Sequence, residues 1–187
     1  ANGGQLFVSV AEDNRVMLWS DSDYSERDVF ALDANAQILD ATFNHQSRQI
    51  ASVTSQGTLV ITDLELNRST QVKERELASV SREEGHDYLA NQGQFLSAFP
   101  DRPERWFVTA GVDGKVIVWD LEKGVSIQEY PQSGRTSIIA VSPDQKQIVT
   151  GGPENYALLN PLPSVIVDPE QSTEEEIGPA VKLAGHK

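Results

Sequence analysis

No cysteine occurs in the 187 residues, which removes disulfides, thiolate metal ligands and a cysteine nucleophile together. Histidine is nearly as scarce, and His45, His86 and His186 show no metal-ligand spacing. No metal or cofactor is therefore expected. Basic residues are outnumbered, with 15 Lys and Arg against 28 Asp and Glu and a formal net charge of −13. Binding a phosphate backbone needs a basic face that releases counterions, so nucleic acid is not an expected partner. No apolar run reaches the roughly 20 residues that cross a bilayer, so no membrane span is expected. The opening Ala1-Asn2-Gly3-Gly4-Gln5 lacks the basic start and apolar core of a signal peptide. The expected location is intracellular, cytoplasmic or nuclear, while a first residue other than Met leaves a removed export signal open. Phosphate loops are absent too, since Gly3-Gly4 and Gly151-Gly152 are isolated pairs in turn contexts. Asn67-Arg68-Ser69 fits a glycosylation acceptor, a pattern short enough to arise by chance.

What is present is alternation. A hydrophobic fraction of 39% with 23% charge belongs to a folded chain, and its apolar residues recur with period two in short stretches bounded by turn residues. No amphipathic helix of useful length emerges, and the expected class is all-β. One stretch is distinctive. Gly111-Val112-Asp113-Gly114 is a polar tight turn, and Lys115-Val116-Ile117-Val118-Trp119-Asp120 is an alternating strand closed by a Trp-Asp pair. Upstream, Glu12-Asp13-Asn14-Arg15-Val16-Met17-Leu18-Trp19 repeats the turn, the alternation and the Asp-to-Trp separation. Aligning on that station places Trp19-Ser20, Thr62-Asp63, Trp119-Asp120 and Leu159-Asn160 at equivalent points, about 40 to 45 residues apart except for one longer interval. The longer interval holds an insertion over about 67–93, with Lys73-Glu74-Arg75-Glu76 and Arg82-Glu83-Glu84, read as an enlarged loop or extended outer strand. A second irregular segment, about 161–180, carries Gln171-Ser172-Thr173-Glu174-Glu175-Glu176 and reads as an acidic solubilising loop, with an acidic partner-binding peptide as the sharper alternative.

These residues resemble the WD-repeat β-propeller family. The third unit carries the resemblance best: Gly85-His86 precedes it, Phe99-Pro100-Asp101 is expected to close its innermost strand, Thr109 lies on the next strand, Asp113 in the turn, and Trp119-Asp120 ends the following strand. The resemblance implies a buried structural tetrad of His86, Thr109, Asp113 and Trp119. A buried imidazole, hydroxyl, carboxylate and indole N–H are each costly unless they satisfy one another. A hydrolytic triad is the competing reading of His, Thr and Asp, but no nucleophile elbow or Gly-rich oxyanion loop accompanies them. No catalytic residue is assigned. The first unit supplies a partial tetrad, Ser9, Asp13 and Trp19. The second keeps Ser52 and Asp63, and the fourth has Thr150, with Pro153 and Leu159 where Asp and Trp belong.

The resemblance implies one propeller segment of four-stranded antiparallel blades, with approximate units 1–33, 34–78, 85–131 and 132–187. The first unit lacks its innermost strand, and Leu183-Ala184-Gly185-His186-Lys187 looks like a last strand followed by the Gly-His of another repeat. Open flanks invite association, so an incomplete ring is expected, completed by further blades or a complementary chain. Partners in this family most often bind the face built from the loops that lead into innermost strands and the turns joining second and third strands. On this chain that face would comprise Asn35, Gln37, Gln56, Asp87, Tyr88, Arg135 and Asn155, joined by Glu12, Asn14, Lys115 and Ser133. Tyr88 and Arg135 lead the set, because aromatic and Arg side chains contribute most at interfaces. The implied function is a non-enzymatic scaffold presenting loop surfaces to a protein or peptide partner. The alternative is a regulatory or substrate-gating portion of a multidomain enzyme.

Overall fold

The computed structural model describes residues 6–31, 37–45, 48–55, 59–66, 72–79, 90–96, 105–132, 134–136, 138–153, 155–163 and 179–184. Among these residues the chain is all strand and turn, without a helix. Fifteen strands follow in order: β1 Leu6–Val10, β2 Arg15–Ser20, β3 Glu26–Ala31, β4 Ile38–Phe43, β5 Gln49–Thr54, β6 Leu59–Leu66, β7 Val72–Ser79, β8 Ala90–Leu96, β9 Trp106–Gly111, β10 Lys115–Asp120, β11 Val125–Pro131, β12 Ile138–Val141, β13 Gln147–Gly151, β14 Tyr156–Pro161 and β15 Val181–Ala184. They form four antiparallel meanders: β1-β2-β3, then β4-β5-β6-β7, β8-β9-β10-β11 and β12-β13-β14-β15. This arrangement is consistent with a partial WD-type propeller, with the first sheet one strand short, as the resemblance implies.

Register makes the sheets superimposable in sequence. Trp19 pairs with Phe7, Thr62 with Ile50, Trp119 with Phe107 and Asn160 with Ile148. A bulge immediately before the Trp station recurs in three sheets, at Leu18/Trp19, Ile61/Thr62 and Val118/Trp119. Each inserts a residue and increases local twist. The tight turns repeat as well. Asn14 and Gly114 hold φ of 60° and 76°, a left-handed conformation that Gly and Asn tolerate best, while Asp13 and Asp113 accept the N–H of Arg15 and Lys115 at 3.2 and 3.1 Å.

Because strand residues alternate between faces, every sheet has a forward face toward the next sheet and a backward face toward the previous one. The forward face of the first sheet presents Val8, Val10, Val16 and Leu18 to Ile38, Ile50 and Leu64 of the second. Ala51, Val53, Leu59 and Ile61 then meet Phe95, Phe107, Ile117 and Trp119. Val108, Ala110, Val116 and Val118 in turn meet Ile139, Ile148 and Leu162. The core is thus three apolar layers between four sheets, and no such layer joins the fourth sheet to the first among the described residues. Two polar bonds pin the inner strands across these layers. The Gly93 N–H donates to Asp40 Oδ2 at 3.0 Å, and the Ile139 N–H donates to Gln92 Oε1 at 2.8 Å.

Two details differ from the sequence reading. The innermost strand of the third sheet is β8, Ala90–Leu96, which begins earlier than the expected strand Phe95–Phe99 and shares only Phe95 and Leu96 with it, while the expected closing Phe99-Pro100-Asp101 lies outside the described residues. Gln92 and Gln94 hid the start of β8, since polar side chains break the apolar alternation that reveals a strand. In the fourth sheet the Trp station is Asn160, not Leu159. Asn160 pairs with Ile148 and lies ten residues beyond Thr150, as Trp119 lies ten beyond Thr109. A one-residue slip reverses the face on which every side chain falls, so Leu159 belongs to the forward apolar face.

Candidate functional site

Two sets of residues merit the name of site: the repeated polar station inside each sheet, and the rim of loops at one end of the strands. In the third sheet the indole Nε1 of Trp119 donates to Thr109 Oγ1 at 2.8 Å, and both residues are buried. Trp19 Nε1 donates to Ser9 Oγ, also at 2.8 Å, but in a more exposed setting. The fourth sheet reproduces the link with different chemistry: Asn160 Nδ2 donates to Thr150 Oγ1 at 3.5 Å, and the Thr150 hydroxyl donates to Gln132 Oε1 at 2.7 Å. Amides therefore stand where an indole stands in the third sheet. In the second sheet Thr62, ten residues on, replaces the Trp, and the buried Ser52 hydroxyl has no bonded partner among the described residues. Asp113 sits in its turn on the Lys115 N–H. His86, the fourth member implied by the resemblance, lies outside the described residues.

Asp120 is the most constrained acid. It is fully buried, and the Arg105 fork reaches it through Nε at 3.0 Å and Nη2 at 2.6 Å. The N–H groups of Glu122 and Lys123 donate to its Oδ1 at 3.0 and 3.2 Å. Burial is the largest single influence and pushes the carboxyl up, yet Arg105 and the two N–H donors together hold it below its ordinary value. Arg105 also lies 4.6 Å over the Trp106 ring and reaches Glu122 at 3.0 Å. Such a bidentate pair clamps the lead-in to β9 onto the end of β10. Burial likewise raises the Tyr130 phenol, whose hydroxyl donates to the Pro161 carbonyl and so ties the third sheet to the fourth.

The rim is built from backbone bonds. Gln37 and Ser55 join the lead-in of β4 to the turn after β5: the Ser55 N–H donates to Gln37 O at 2.8 Å, and the Gln37 N–H to Ser55 Oγ at 3.0 Å. The lead-in of β12 is held twice to the turn of the third sheet, Thr136 N–H to Gly111 O at 3.1 Å and Gln132 N–H to Gly114 O at 2.8 Å. Its other side abuts Gly152, where a Cβ would collide with the Arg135 carbonyl oxygen. Arg135 is thus wedged between two turns with its side chain exposed, and Gln37 and Asn155 are exposed on the same end of the strands. Asn35, Gln56, Asp87, Tyr88 and Ser133 lie outside the described residues.

Sequence reasoning missed Arg105, Gln92, Asp40, Gln132 and Asn160. Arg105 was findable, since a buried Asp at the end of an apolar strand needs a cation. The amide positions carried no such signal. No group of His, Asp or Glu among the described residues could hold a metal ion, and no helix is long and apolar enough to cross a membrane.

No curated protein matches this sequence. Residues 92–120, from inside β8 to the Trp-Asp pair, match the family of the WD domain, G-beta repeat, and this match supports the WD-repeat resemblance of the chain.

Proposed function

We propose that the chain is a non-enzymatic protein-interaction scaffold, and that its loop rim, centred on Arg135, receives a protein or peptide partner within a larger complex. WD repeats in general serve as protein-interaction scaffolds, and residues 92–120 match one. The observation that carries the rim in particular is the double anchoring of the β12 lead-in to Gly111 and Gly114, with Gly152 behind it. A loop already fixed by backbone bonds loses little conformational entropy when a partner docks. An exposed guanidinium on such a loop offers five donors in a rigid fork, suited to carboxylates and backbone carbonyls. Gln37 and Asn155 add adaptable polar contacts.

The test is affinity capture from extracts of the source cells on the immobilised chain, comparing wild type with Arg135→Glu and with Lys146→Glu. Lys146 lies in the turn between β12 and β13, at the opposite end of the strands. Proteins retained by wild type and by Lys146→Glu but lost with Arg135→Glu support the rim. Equal recovery on all three baits discards it.

A further inference from the structure

A cleft opens beside Arg135 where the third sheet meets the fourth. Gln132, Arg135 and Thr136 of the β12 lead-in form one wall, and Thr150, Tyr156 and Leu158 of the fourth sheet form the other. Register composes that second wall. Thr150 and Lys182 both pair with Leu158, and Tyr156 lies two residues before it, so all four share the face turned toward the third sheet. Lys182 flanks the cleft from β15, its Nζ 3.7 Å above the Tyr156 ring.

The amide and hydroxyl in the walls are already engaged with protein. The Thr150 hydroxyl donates to Gln132 Oε1 at 2.7 Å, and Gln132 Nε2 donates to the Tyr130 carbonyl at 3.3 Å. The two cations differ. Arg135 and Lys182 are both exposed, and among the described residues neither forms an ion pair with a carboxylate. Both side chains carry donors and no acceptor, so an occupant has to bring acceptors and negative charge. The Tyr156 ring and Leu158 offer apolar surface beside them, which suits the methylene stem of an acidic side chain. The charge of the chain narrows the choice further. At −13 it repels a long polyanion along its whole length, whereas a short acidic segment meets chiefly the charges within a Debye length of about 10 Å.

We propose that this cleft receives an Asp or Glu side chain from an acidic segment of a protein partner, its carboxylate on Arg135 and a neighbouring acid on Lys182. The assignment rests on the rim reading above and adds the chemistry of what the rim takes. Backbone bonds from Gln132 and Thr136 to the turn of the third sheet fix the loop that carries Arg135, and the Tyr156 ring seats the Lys182 head. Little ordering is therefore left for the partner to impose.

Amide NMR spectra of the isotopically labelled full chain, titrated with a short peptide of alternating Glu and Ala, test this. The expected result is a saturable shift of the Thr136, Gly151 and Gly152 signals, while a Gln-Ala peptide of the same length moves none of them. Arg135→Gln weakens the Glu-Ala peptide about fivefold and Lys182→Gln about twofold, and Lys146→Gln, at the other end of the strands, leaves the affinity unchanged. Unchanged urea midpoints certify the fold of these variants, each at an exposed or partly exposed position. Equal binding of the Gln-Ala peptide, shifts confined to other residues, or indifference to Arg135→Gln overturns the proposal. If the Glu-Ala peptide leaves the cleft unmoved while capture of cellular partners still depends on Arg135, the acidic occupant is overturned and the rim stands. Failure of both sinks the rim with it.

Discussion

Replacing Asp120 by Asn should destabilise the chain through one clamp, and the size of the effect follows from its geometry. Asp120 is fully buried and accepts four bonds, two from Arg105 and two from backbone N–H groups. Asparagine keeps one acceptor oxygen and turns an NH₂ donor toward the Arg105 fork. Removing one partner of a fully buried pair costs about 3–5 kcal/mol. Arg105 is 35% exposed and retains Glu122, so its charge stays partly solvated, and about 2–3 kcal/mol is expected instead. The sign with pH is fixed by the depressed carboxyl, which has an ordinary value of 3.8. A folded-state value below the unfolded one gives stability that is present above 3.8 and lost as pH falls through the folded value. Urea unfolding of wild type and Asp120→Asn at neutral pH and at steps below 3.8 should therefore show a gap that narrows with acid. A gap under about 1 kcal/mol at neutral pH, or one indifferent to pH, would refute the clamp.

Three further substitutions probe the repeated station and the inner strands. Thr109→Val keeps the shape of the side chain but strands the buried Trp119 N–H, with an expected loss of about 1–3 kcal/mol, whereas Ser9→Ala leaves Trp19 within reach of water and costs under about 1 kcal/mol; equal losses in urea unfolding would contradict the burial difference. Gly93→Ala places a Cβ about 2.5 Å from the Phe107 ring, so a lowered melting temperature and a loss of about 1–3 kcal/mol are expected, and a neutral result by calorimetry would show that the ring moves freely.

Much of the fold was legible because turn and strand chemistry coincide. The Asp-Asn and Asp-Gly turns announce a left-handed residue, and the strands behind them alternate cleanly, so the hairpins β1-β2 and β9-β10 could be read directly. Only the Phe95-Leu96 end of β8 was legible, since Gln92 and Gly93 serve a cross-sheet bond and close approach rather than apolar burial. The Asn160 station was misplaced by one residue for a related reason. Leu159 looks more like Trp than Asn160 does, yet an amide can reach Thr150 where an indole would. At the rim, the exposed Gln37, Arg135 and Asn155 could be nominated from loop position, whereas the bonds from Gln132 and Thr136 that stiffen it join residues far apart in the chain.

Since among the described residues apolar layers join each sheet only to its neighbours, cohesion along the array is a nearest-neighbour quantity. Loss of a flanking sheet subtracts one layer and leaves the others intact. Amide exchange should consequently be slowest in β5, β6, β9 and β10, whose sheets are covered on both sides, and should quicken toward β1 and β15.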